Sequence, residues 1–222
     1  MWEWRFRLTS TNNHVNSYEI DGMLMVHFNF VASESERKKL LEKGKKLYEK
    51  CMEKGDDKCV TGFVEHHLDA KPERSDVIHD FLAFLAKQMI EVNKKKQKEI
   101  KGFLEWLENQ LKILSDAKGK KGIDALTGKT QIKNYIGDYQ KGENHLSFKE
   151  FWNILENNKN KIKANLKSRE LYENIQSEYE KSLSKLIPLK EKLRNTDWLI
   201  DQIVYKLYGL TDEETKIVEL NR

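Results

Sequence analysis

Proline and cysteine are nearly absent: the 222 residues contain two of each, Pro72 and Pro188, and Cys51 and Cys59. Two cysteines cannot by themselves make a four-ligand zinc site, and their charged surroundings fit a reduced, cytoplasmic chain that does not depend on disulfides. Two distant prolines cannot spell the Asn/Asp-Pro-Pro-aromatic loop of adenine-specific DNA methylation, and no Gly-x-Gly turn follows a strand. Methyl transfer by this chain alone is thereby excluded. Long apolar runs are also missing: no stretch approaches the roughly 20 apolar residues of a membrane span, and the N-terminus lacks the basic-then-apolar order of a signal peptide.

What is abundant is charge. Charged residues make up 34% and hydrophobic residues 38%, with 40 Lys+Arg against 36 Asp+Glu and a net charge of +4. This polarity disfavours a thick α/β core and fits exposed helical rods. With so small a net charge, attraction to nucleic acid would depend on clustering of basic groups.

The first thirty residues differ from the rest. Trp2, Trp4 and Phe6, a polar turn over Thr9 to Asn16, then Tyr18, Ile20 and the run Met23 to Phe30 predict a short β or aromatic module with too few residues to cover itself. Trp2, Trp4 and Phe6 are therefore expected to meet a partner, either a further domain in trans or a second copy.

From Ser33 onward, helical periodicity takes over. Ser33 and Glu36 spell a capping box ahead of Leu40, Leu41, Leu47, Tyr48 and Met52, predicting a helix from about Ser33 to Lys54. Ser75 and Asp76 open a rod carrying Phe81, Leu85, Met89, Val92, Ile100, Phe103, Leu107, Leu111 and Leu114, which predicts one continuous helix with a solvated middle over Asn93 to Glu99. Residues 115–146 hold five of the eleven glycines and read as a connector with one short helix near Thr130 to Ile136.

A second capping box, Ser147 with Glu150, leads a short helix, and Tyr172 to Leu207 form a third long pattern that Pro188 should kink or divide. Thr211 and Glu214 cap a last short helix. The expected fold is mainly α, with long antiparallel, coiled-coil-like helical hairpins behind a short N-terminal β/aromatic segment, divided as 1–31, 32–114, 115–146 and 147–222.

Few residues carry chemistry. Gly128-Lys129-Thr130 resembles the end of a phosphate loop, but Ile123 stands where its first glycine belongs. Asp21, Glu36 and Lys38 match the spelling of a metal-dependent nuclease, a match expected by chance in so charged a chain. His66, His67 and Asp69, with His79 and Asp80, read as a polar loop and a first helical turn, not as metal ligands. Lys94, Lys95, Lys96 and Lys98 form a basic cluster able to meet a phosphate backbone, or a solvated face. Arg5, Arg7, Asn12, Asn13, His14 and Asn16 place base-reading side-chain types on one turn beside the aromatic cluster.

Three stretches together carry a resemblance. Trp4-Arg5-Phe6 with Thr9 to Ile20 resembles the closing segment of a TaqI-like target-recognition domain. Phe81 to Leu107 is similar to the helical segment behind that domain, and Thr196 to Thr211, TDWLIDQIVYKLYGLT, is similar to the terminal signature of type IIG restriction-modification enzymes, the Eco57I-like adenine methylase family. Gly22 to Phe28 departs from the family by lacking the proline-containing exit that usually follows the Tyr-Glu-Ile strand.

The resemblance covers only the tail of that architecture. It implies a noncatalytic C-terminal module that braces a recognition domain against its methylase. DNA and the methylase or recognition domain are its expected partners, and it needs no cofactor of its own. A stand-alone helical interaction or dimerisation protein is the other reading.

Overall fold

The computed structural model describes residue 28 and residues 30–54 and 58–220. Among them the chain is helical: α1 spans Glu34–Lys54, α2 Lys58–Leu68, α3 Ser75–Leu111, α4 Lys129–Lys133, α5 Phe148–Asn157, α6 Arg169–Leu207 and α7 Asp212–Leu220, with 3-10 turns at Gly122–Ala125 and Lys159–Lys161. No helix of the described residues is long and apolar enough to cross a membrane. The expected N-terminal β/aromatic segment lies outside the described residues, apart from Phe28 and the residues from Phe30 onward.

Two rods organise the molecule. The 37 residues of α3 and the 39 of α6 rise about 55 and 58 Å at 1.5 Å per residue. They run in opposite directions: Glu99 pairs with Lys185 at 3.1 Å, Phe103 lies 5.9 Å from Tyr179, and Phe81 and Leu85 cluster with Leu199 and Ile203. Each rod is apolar at both ends and charged in the middle, so they bury two separate cores.

One core joins the C-terminal half of α3 and the N-terminal half of α6 to α4, α5 and the 3-10 turns. Phe103, Tyr135, Phe151 and Tyr179 make its aromatic centre, with Phe151 and Tyr179 ring centroids 4.7 Å apart. Its buried hydroxyls are partnered: Tyr135 with Ser182 at 2.6 Å, and Tyr179 donating to the Leu146 carbonyl at 2.7 Å. Burial pushes both phenol pKa values well above the ordinary tyrosine range. The other core gathers Tyr48, Val60, Phe63, Val64, Val77, Ile78, Phe81, Leu85, Leu199 and Ile203 from α1, α2, α3 and α6. Val92 and Leu193 are buried between the two and belong to neither, which leaves a narrow polar waist.

Several expectations need correction. The stretch read as a polar loop around His66 and His67 is α2, because Val60, Phe63, Val64 and His67 recur at helical spacing and bury one face. The glycine-rich connector has its short helix at Lys129–Lys133, close to the expected Thr130–Ile136, and it also packs: Ile123, Leu126, Ile132, Tyr135 and Ile136 are buried in the first core. Gly137 is what its turn requires, with φ at +74° and the place of a Cβ taken by the backbone oxygens of Asn144 and Glu143.

Pro188 does not divide the third rod, since α6 passes through it as one helix. The residue is exposed, and so is Ser184, whose carbonyl lacks the helical donor that a proline at 188 cannot supply. The continuous α3 is as expected, although Lys112, at φ 49°, ends it before Leu114.

Capping follows the local code at two of three boxes. Ser147 with Glu150 and Thr211 with Glu214 close both reciprocal bonds. At Ser33 only the Glu36 amide donates, at 3.3 Å, and the Glu36 carboxylate pairs with Arg74 instead. Ser75 and Asp76 do not cap α3; both are buried inside its first turn.

Candidate functional site

Asp76 has a longer-range task. Its Oδ2 accepts the amides of Val31 at 3.0 Å and Ala32 at 2.9 Å, and its Oδ1 accepts the amide of Val77 at 2.8 Å. A wholly buried carboxylate thus ties the chain ahead of α1 to the start of α3. Beside it, the His79 ring meets Phe28 and Phe30 edge-on at 5.0 and 5.7 Å, and the Arg37 guanidinium lies 5.1 Å over Phe30 while pairing with Asp80 at 3.3 Å. The backbone at Val31 and Ala32 is therefore clamped to the bundle.

The basic cluster of α3 splits on folding. At about 100° per residue, Lys96 falls beside the buried Val92, while Lys94, Lys95 and Lys98 fall on the other flank. Those three are exposed and form no ion pair among the described residues. Lys96 is half-buried, its ammonium 5.8 Å from the centroid of the Tyr139 ring, and desolvation lowers its pKa.

On the Lys96 side of the waist, α6 and the turn after Ile136 flank an open-sided cavity of about 260 Å³. Its lining includes the polar side chains Lys190, Arg194 and His145 and the apolar Ile136, Ile187 and Tyr139. The Lys190 ammonium donates to the carbonyls of Ile136, at 2.8 Å, and Glu143. Desolvation lowers its pKa, while Glu143 and Asp138 act in the opposite sense.

Among the described residues, the remaining candidate groups do not converge. Arg5, Arg7, Asn12, Asn13, His14 and Asn16, with Trp2, Trp4, Phe6 and Asp21, lie outside the described residues. Of the nuclease-like spelling, Glu36 is held by Arg74 and Lys38 pairs with Glu34 at 2.7 Å. Gly128 precedes the five-residue α4, and Lys129 turns to Asp124 at 3.4 Å, so the segment does not cradle phosphate. Among the described residues no group of three His, Cys, Asp or Glu side chains is arranged to hold a metal ion.

His67 and His79 occupy opposite environments. His79 is exposed, as expected, whereas His67 is buried at 2% exposure, with its Nδ1 unpartnered and its ring 4.6 Å from Phe63. Burial, reinforced by His66, Arg74 and Lys43, depresses its pKa to about 4 against the opposing pull of Asp76.

Sequence reasoning missed the waist cavity. Lys190 and Arg194 stand four residues apart on one face of α6, a legible signal. Nothing in the sequence places Tyr139 and His145 opposite them. Comparison of the chain with protein-family models, curated proteins and solved structures finds no match.

Proposed function

We propose that the chain is a noncatalytic helical module of a DNA restriction-modification methylase, which braces a DNA-recognition domain and touches the DNA backbone through Lys94, Lys95 and Lys98. The observation that carries this reading is the Asp76 clamp. It fixes the backbone of Val31 and Ala32 to a stiff two-rod bundle, eleven residues beyond Ile20, where the segment that resembles the end of a recognition domain stops. A brace needs such a joint, because a flexible tether transmits no orientation.

The three exposed lysines offer point charges to phosphates without base-reading geometry. Fluorescence anisotropy with duplex DNA tests the contact. Three phosphate contacts give a log–log salt slope near −2.7, so affinity should fall about 40-fold between 50 and 200 mM salt. Replacing Lys94, Lys95 and Lys98 together with Gln should abolish most of that slope. Absence of binding at low salt would remove the DNA contact from the reading.

One observation favours a stand-alone interaction protein. No residue of α7 is buried, and Ile217, Val218 and Leu220 are exposed. Light scattering that finds only monomer at high concentration would count against this second reading.

A further inference from the structure

Three cationic or protonatable side chains converge on the waist cavity, and none of them forms an ion pair among the described residues. Arg194 and His145 form no hydrogen bond there either. Lys190 spends two of its three N–H groups on the carbonyls of Ile136 and Glu143. The nearby acids are differently placed. Glu143 turns its Oε2 to the Asp138 amide at 3.0 Å and the Asn134 amide group at 3.2 Å, and Asp138 accepts the Gln140 amide at 3.0 Å. Glu191 is the one acid of the wall with no such engagement among the described residues.

The wall therefore holds spare donors: a planar guanidinium fork, one ammonium N–H and an imidazole. Arg presents its N–H groups in the geometry that matches phosphate oxygens in pairs. Lys96, over the Tyr139 ring, adds positive potential. The lining also includes Ile136, Ile187 and Tyr139, with Ile187 on the same face of α6 as Lys190 and Arg194, and these apolar groups suit a compact organic body rather than a bare ion. The volume lies just under the range of about 300–1,000 Å³ usual for small-molecule pockets, so the occupant must be small.

We propose that this cavity is a binding site for a small phosphate monoester, whose phosphate is held by Arg194, Lys190 and His145 and whose body rests on Tyr139 and Ile187. The site is separate from the lysine flank of α3 assigned above to the DNA backbone, because Lys94, Lys95 and Lys98 lie on the other side of that helix. It is lined by α6 and the turn at 136–145, so an occupant would bridge the two.

Isothermal titration calorimetry of the full chain tests the assignment with three probes: inorganic phosphate, ribose 5-phosphate and ribose. Ribose 5-phosphate should bind more tightly than phosphate, and ribose should not bind. Lys190 also holds the turn, so the informative variants are Arg194→Gln and His145→Gln, both at exposed positions and expected to melt with the parent. Arg194→Gln should weaken ribose 5-phosphate at least tenfold and His145→Gln by a smaller factor, while the triple Lys94, Lys95 and Lys98→Gln variant should leave it unchanged. No heat with either phosphate probe, or equal affinity for the Arg194→Gln variant, would overturn the proposal. So would duplex DNA binding that depends on Arg194 in a protein that ignores ribose 5-phosphate. Loss of DNA binding in the triple variant alone bears only on the function proposed above.

Discussion

The hydroxyls of Tyr48 and Thr196 lie 2.8 Å apart, buried, and bond α1 to α6 beside the second core. Thr196 also donates to the Lys192 carbonyl at 2.7 Å, so its single proton is spent there and the Tyr48 hydroxyl is the donor between the two. The two truncations should therefore differ. Tyr48→Phe removes a donor and leaves Thr196 bonded to Lys192, at a cost of about 0.5–1.5 kcal/mol. Thr196→Val strands a buried phenol donor and should cost about 1–3 kcal/mol. Urea unfolding of both variants checks the order, and a reversed order would mean that the proton is assigned the wrong way round.

His67 makes the bundle acid-sensitive. Its folded pKa of about 4 lies below the ordinary histidine value of 6.5, so the unfolded chain takes up the proton first. Its stabilising contribution is complete above pH 6.5 and is lost progressively as the pH falls to 4. The loss approaches about 3 kcal/mol at 1.36 kcal/mol per pH unit. Replacing His67 with Phe should flatten the stability profile between pH 6.5 and 4, as read by chemical denaturation across that range. A parallel profile for the variant would show that other groups control acid stability.

Pro188 is a local cost that the rod carries on its wet face. Pro188→Ala restores the amide that can bond the Ser184 carbonyl and removes the ring from the helix interior, where proline is about 3 kcal/mol less favourable than alanine. The variant should melt at a higher temperature, with a gain of about 1–3 kcal/mol and no change in helical content by circular dichroism. Unchanged or lower stability would mean that α6 needs a bend at this point.

Gly137 should not tolerate a side chain. Gly137→Ala would push a methyl group onto the backbone at Asn144 and hold a non-glycine residue at φ +74°. A loss of about 1–3 kcal/mol is expected. Because the same turn carries His145 to the waist cavity, the variant should also weaken any ligand bound there. Thermal melting paired with the calorimetric titration reads both effects.

Periodicity and caps made most of the helices legible, because both act within a turn or two of their own residues. Tyr172 to Leu207 announced α6, and the Ser147 and Thr211 boxes marked the starts of α5 and α7 correctly. The pattern of α2 was equally regular but short, and His66, His67 and Asp69 read as a polar loop until Val60, Phe63 and Val64 found the core. The candidate site was less legible. A run of four lysines looks like one patch, yet the turn of the helix sends Lys96 to Tyr139 and leaves Lys94, Lys95 and Lys98 in water.

By itself, then, the sequence determined a mainly helical chain with two long rods and a polar middle, because spacing along one helix decides which residues share a face. Only tertiary packing decided that the glycine-rich stretch is core, that Asp76 holds the chain ahead of α1, and that Lys190, Arg194 and His145 surround one cavity. The physical reason is that burial and charge pairing depend on which distant segments face each other. Antiparallel contact between α3 and α6 set those facing pairs, whereas the local pattern of either rod set only its own apolar side.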